Sequence, residues 1–331
     1  MSRPPRTLAG LPAGALLDAA ARHGVLSALA ARPEVAADEP ARRQLERLVS
    51  GLRVESAARR AALDEVLRTL DGRGIAACPL KGTFLAERLY PDPLLRPNAD
   101  LDLLVSPGRL DPAVVALEGA GWRLDRGPAE RHARRHGHHL TLFQAGRPAL
   151  ELHFRPLSGF ASDLPADEIL SRARPARTSG GAPALVLAPE DELVVLALHA
   201  LHHHLARAGW GLDVLLLLDA HPALDWGAVI ARAARWRCRR ALAHALLVLH
   251  ELGARVPVRA TSGPRARMAE RLRSEILVRT RGKVRTLLAI AFEGLLADSP
   301  LGAVRVAWWD TAWAARLRVH RALHRPRVRD T

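Results

Sequence analysis

Two carboxylates one residue apart, Asp100 and Asp102, interrupt the apolar run ADLDLLV at 99–105. Side chains alternate on a strand, so both acids project from one face while Leu101 and Leu103 pack behind them. Neighbouring acids on a buried strand repel each other and resist desolvation, and a cation held between them relieves both costs. A hard, oxygen-seeking ion such as Mg2+ suits that pair. Farther on, ALELHF at 149–154 reads as a short strand in which Glu151 is a candidate third ligand. His153 shares its face and is read as a hydrogen-bond partner behind the ligands.

Upstream lies PLKGT at 79–83, leading into FLAERLY, whose apolar spacing predicts a short helix. Gly82 lets the backbone approach a ligand closely, and the N–H groups of the following turn form an anion site suited to phosphates. Lys81 stands out because only two of the 49 basic residues are lysine, Lys81 and Lys283. A compact ammonium in a chain that otherwise uses arginine suggests a point charge beside phosphate.

A Gly-Thr loop entering a helix, then Asp-x-Asp on a strand, then a lone acid on a later strand, resembles the DNA polymerase beta-like nucleotidyltransferase superfamily. The finer runs LKG, LYPDPLLRPNADLDLLV and LELHF are similar to the bacterial family described as uncharacterised nucleotidyltransferases, over roughly residues 60–220. The resemblance implies a metal-dependent transfer of a nucleoside monophosphate from an NTP to an acceptor hydroxyl, with release of pyrophosphate. Asp100, Asp102 and Glu151 would then hold Mg2+ or Mn2+, and Lys81, Gly82, Thr83 and Arg96 would lie at the nucleotide. Thr83 stands where a serine is commoner in the superfamily, which keeps the hydroxyl. The span from Gly82 to Asp100 is longer than in compact members and predicts an extra loop over 90–98 at the mouth of the site.

The elements that must position these residues read as α+β: a small mixed-sheet core, a helical N-terminal segment and a helical C-terminal domain. The expected boundaries are 1–72, 73–180 and 181–331, with the Pro/Gly/Ser-rich connector near 172–183 as the principal break. Residues 41–70 show one apolar helical face, expected to break or bend near Gly51 and to end at Gly72 and Gly74. A first core strand is expected over 75–80, a helix over 110–120, an edge strand from Trp122, and strands over 140–143 and 184–188. The stretch ERHARRHGHH, with His132, His136, His138 and His139, has the residues for a transition metal or polyphosphate site, yet reads best as a solvated loop. Pro189 and the acids that follow it open a helix carrying His199, His202 and His203 on one face. With no further ligand to complete a zinc site, these histidines read as packing or phosphate contacts.

Composition narrows the class. The chain has 331 residues, nearly half of them apolar, enough for a substantial core and more than one domain. Cys78 and Cys238 offer neither a disulfide framework nor zinc spacing, which fits a reducing cytoplasm. No stretch reaches the roughly 18 apolar residues of a membrane span. The formal charge of +15 is scattered, and with one tyrosine and five phenylalanines no aromatic-rich recognition motif accompanies it. An RNA-binding protein driven by charge and a non-catalytic, antitoxin-like nucleotide-binding module remain the alternative classes. The C-terminal stretch with Trp309, Trp313 and Leu317 reads as a docked amphipathic helix in preference to a peripheral membrane contact. Neither the acceptor, whether protein, peptide, small molecule or RNA, nor the base of the NTP is written in these residues.

Overall fold

The computed structural model describes residues 12–30, 38–256, 264–278 and 283–306. The C-terminal stretch with Trp309, Trp313 and Leu317 lies outside these residues. The fold is α+β, and its first long element is a helix that prepares one face of the sheet. After α1 (Ala13–His23) and α2 (Leu26–Ala30), α3 (Glu39–Asp71) runs for 33 residues without interruption at Gly51. Gly51 is exposed on a surface turn with open space around it, so it costs the helix about 1 kcal/mol of propensity and no packing. The expected break there is therefore not found. Gly72 caps the helix, and Gly74 follows with φ 63°.

The strands are β1 (Cys78–Pro79), β2 (Asp100–Leu104), β3 (Arg123–Leu124), β4 (His139–Phe143) and β5 (Ala149–His153). They form a mixed sheet in the order β1-β2-β5-β4-β3. Only the β2/β5 pair is parallel; the other pairs are antiparallel. β1 is shorter than expected because Ile75 to Ala77 precede the ladder, although the Ala77 carbonyl still accepts from Leu185 N at 3.0 Å.

The two faces of the sheet differ in chemistry. Leu101, Leu103, Leu140, Leu142, Leu150 and Leu152 form a buried apolar layer with the second half of α3 and with α5 (Leu110–Gly119). Burying such leucines is worth roughly 1.5–3 kcal/mol each, so this layer anchors the sheet. The opposite face carries Asp100, Asp102, Glu151, His153 and His139, because the register sets Asp102 opposite Glu151 and His139 opposite His153. Its far end returns to apolar contacts, where Cys78 and Leu104 join the core of the helical region.

The helical region begins after the hairpin β6 (Arg174–Arg177) and β7 (Pro183–Val186), in whose turn the expected boundary at 180 falls. β7 therefore extends a separate hairpin, not the main sheet. α8 (Pro189–His202) is buried along most of its length and lies among α9 (Ala208–Ala220), α10 (Trp226–Arg235) and α11 (Arg239–Glu251). The acids of its first turn do more than answer the helix dipole. Asp191 is held by Arg172 at 2.8 Å and Arg232 at 3.1 Å, and Glu192 by Arg88, so buried ion pairs dock the helix start.

Candidate active site

The strand β2 delivers the two aspartates to unequal surroundings. Asp102 has a side chain 1 % exposed, while Asp100 at the strand entrance is 31 % exposed. Lys81 reaches between them, its Nζ 2.6 Å from Asp102 Oδ2 and 3.8 Å from Asp100 Oδ1. On the other side of Asp102, His153 Nε2 lies 3.1 Å from Oδ1 and 3.5 Å from Glu151 Oε2. One buried carboxylate thus sits between an ammonium and an imidazole. A parallel neighbour strand is what makes this possible, since it brings 151 and 153 onto the face of 100 and 102.

The electrostatics follow from these contacts. Burial works against ionised Asp102, but Lys81 and His153 outweigh it and hold the carboxyl well below its usual range. Asp100 moves the other way, raised by burial and by the nearby Asp102 charge. For Lys81 burial opposes the charge, and Asp102 and Asp100 overcome it, so the ammonium is retained. His153 is likewise raised against its burial by Asp102 and Glu151.

The turn before the helix is tied to this strand by a residue that no motif singles out. Asn98 Nδ2 donates to Asp100 O at 2.9 Å and lies 3.2 Å from Thr83 Oγ1. The same amide faces Gly82, where an added Cβ would stand 3.3 Å from Nδ2. Gly82 has φ 74° and ψ −131°, a conformation that a side chain disfavours. Gly82, Thr83, Asn98 and Asp100 therefore form one connected corner, from which α4 (Thr83–Leu89) departs. In sequence, Asn98 is visible only as a polar residue two positions before the first aspartate.

Arg96 is buried and paired. Its guanidinium makes a two-point pair with Asp213 of α9, Nε to Oδ1 at 2.8 Å and Nη2 to Oδ2 at 2.6 Å, and Tyr90 OH donates to the same carboxylate at 2.7 Å. All three residues are buried. The charge of Arg96 is matched by Asp213, and the pair fastens 90–98 to the helical region. The segment 90–98 is docked by these contacts and carries a 3-10 turn at Pro93–Leu95.

The histidines also depart from the loop reading. Pro128–His136 is a helix, here α6, and beyond it His138 and His139 turn inward to His153, with ring centroids 4.5–5.3 Å apart. At the end of α8, His199 and His203 pack edge-on at 4.8 Å, and His203 stacks on Trp210 at 4.7 Å. Burial, and then the Lys81 charge, push His199 well below its usual range.

The donor set fits a divalent cation. Ligand atoms of Asp102, Glu151 and His153 lie within 4.8 Å of one another, and the carboxylates have the chemistry a hard ion requires. Asp100 stands beside that group, with Lys81 between it and Asp102.

The family described as uncharacterised nucleotidyltransferase matches residues 11–254 of the chain. Among solved structures, the chain is similar to the antibiotic-resistance factor ANT(2'')-Ia, at 16% identity over 60% of this chain and 99% of that one, with a TM-score of 0.40. It is also similar to an antigenic nucleotidyltransferase-like protein from Paracoccidioides brasiliensis, at 15% identity over 60% of this chain and 90% of that one, with a TM-score of 0.35. No curated protein matches it. Among the described residues, no helix is long and apolar enough to cross a membrane.

Proposed function

This chain belongs to the uncharacterised nucleotidyltransferase family, and on that premise we propose that it transfers a nucleoside monophosphate from an NTP to an acceptor hydroxyl. The observation that carries the reading is the single polar face on which Asp100, Asp102 and Glu151 meet Lys81, beside the Gly82–Thr83 corner. In the reaction the hydroxyl oxygen bonds to the α-phosphorus and the bond from that phosphorus to the bridging oxygen breaks. Pyrophosphate departs, and the hydroxyl proton is released.

Asp100, Asp102 and Glu151 are the residues that would hold Mg2+ or Mn2+. When bound, such an ion supplies charge neutralisation at the triphosphate and acidifies the attacking hydroxyl. The chain's own groups do the positioning. Gly82 N–H and the Thr83 hydroxyl bind phosphate oxygens, and Asn98 keeps that corner in register with Asp100. Lys81 offsets the carboxylates with its ammonium and is the chain's own cation for the charge of the leaving phosphates. His153 holds Asp102 in a fixed orientation through Nε2.

The test is pyrophosphate release from an NTP by the full chain in the presence of Mg2+ and a cell lysate as the source of the acceptor hydroxyl. Asp100→Asn should lower the rate at least 100-fold while the far-UV circular dichroism is unchanged. Equal rates in the two proteins would overturn the assignment.

A further inference from the structure

We propose that His138, His139 and His153 form a three-imidazole site for a borderline divalent cation of the Zn2+, Co2+ and Ni2+ class, next to the carboxylates but distinct from them in chemistry. The placement comes from two strands and one turn. His139 on β4 lies directly opposite His153 on β5, and His138 comes in from the turn before β4. One ligand nitrogen from each of the three lies within 4.8 Å of the others. A tetrahedral ion with bonds of about 2.1 Å would draw such nitrogens to roughly 3.4 Å, a closing movement within reach of side-chain rotation.

The surroundings of each ring match what an imidazole ligand needs. A ligating histidine usually gives its second ring nitrogen to a polar partner, which sets the tautomer and the ring plane. His138 Nδ1 lies 2.7 Å from Ser158 Oγ; donating there leaves the lone pair on Nε2. His153 Nδ1 lies 3.4 Å from the carbonyl of Arg155, a weaker version of the same arrangement. The ring of His139 has its Nδ1 buried without a hydrogen-bond partner among the described residues. That is an unfavourable state for a polar nitrogen, and coordination or a water would relieve it. Glu151 approaches both sides, with Oε1 3.6 Å from His139 Nε2 and Oε2 3.5 Å from His153 Nε2, and so can complete a fourth position.

Three nitrogens and one carboxylate select against Mg2+, which prefers oxygen, and favour ions nearer the top of the divalent affinity order. His153 and Glu151 border both sites, so an ion among the imidazoles draws on the same residues that orient Asp102. The other histidine group, at His199 and His203, makes ring contacts with Trp210 and provides the control.

The experiment titrates the metal-stripped full chain with Co2+ alone, without nucleotide, and reads the visible absorption of coordinated cobalt and the affinity by equilibrium dialysis. The expected result is one ion per chain with a low-coordinate cobalt spectrum. His138→Gln or His139→Gln should weaken binding at least 10-fold, and Ser158→Ala, which alters no ligand, by several-fold. Asp100→Asn and His203→Gln should change it less than twofold. Absence of the absorption band, or binding that survives both histidine substitutions and fails in Asp100→Asn or His203→Gln, overturns the site. Ser158→Ala keeps the test decisive should a histidine variant not fold, since unchanged binding there also counts against it. A cobalt site in a chain that releases no pyrophosphate with Mg2+ would leave this inference standing and remove the enzymatic one.

Discussion

Asp100 and Asp102 look equivalent in ADLDLLV, and the structure makes them unequal partners. Substituting Asp102 strands the buried Lys81 ammonium at 2.6 Å and takes from His153 Nε2 its partner at 3.1 Å, in addition to removing a ligand. Breaking a buried pair from one side costs about 3–5 kcal/mol, so Asp102→Asn should lower the melting temperature as well as activity. Asp100→Asn, at a partly exposed position, should cost activity alone; a differential scanning calorimetry trace showing the two variants equally stable would contradict the unequal roles. Gly82→Ala carries its own cost, because φ 74° and the Asn98 amide 3.3 Å from a Cβ both oppose it. We expect that variant to raise KM for the nucleotide several-fold, and Asn98→Ala, which frees the same corner, to do likewise; an unchanged KM in both would show that the corner does not touch phosphate. The Asp-x-Asp pair and Glu151 are legible in sequence because a carboxylate inside an apolar strand is tolerated chiefly where a cation answers its charge. Asn98 is not, since a single amide in a Pro-rich stretch is ordinary turn chemistry, and its value lies in two contacts made 15 and 2 residues away.

At the scale of elements, periodicity identifies what lies on one face and misses what depends on a partner. The second half of the α3 stripe, the helix over 110–120 and the strands carrying Leu140 and Leu150 are buried on the faces their spacing implies, while Leu45, Leu48 and Leu52 are partly buried. Arg96 shows the other case. Its identity suggests a phosphate contact, but its partner Asp213 lies 117 residues away on α9, where no local pattern points back to it. Asp213→Asn should destabilise the chain by about 3–5 kcal/mol, since it leaves Arg96 buried without its counter-charge. Urea denaturation reads this directly, and a loss below about 1 kcal/mol would mean that the pair does not dock α9. ERHARRHGHH differs from its sequence reading for a related reason: its charge makes a solvated loop the simpler expectation, yet it forms α6, and the turn after that helix directs His138 and His139 inward.

The whole molecule should respond to pH through histidines that burial holds uncharged. Burial, assisted by the charge of His202, pushes His204 down to about 4, against roughly 6.5 in an unfolded chain. Between those values the unfolded chain binds a proton that the folded one refuses, so stability should fall as pH drops from 6.5 towards 4, by up to about 3 kcal/mol. His204 has φ 58°, a conformation that asparagine tolerates, so His204→Asn should flatten the stability profile between pH 7 and 5 without distorting the turn. An unaltered profile would place the acid sensitivity elsewhere. Across the full chain, the division we propose is a helical start at 1–72, a nucleotidyltransferase core at 73–180 and a helical part at 181–331. The measurement that tests the central claim most directly supplies each of the four NTPs, labelled at the α-phosphate, with Mg2+ and a cell lysate as the source of acceptor. It compares the wild-type chain with Asp100→Asn. Label transferred to an acceptor by the wild type and lost in the variant is the result this account predicts; transfer at equal rates by both, or none by the wild type with any of the four nucleotides, would contradict it.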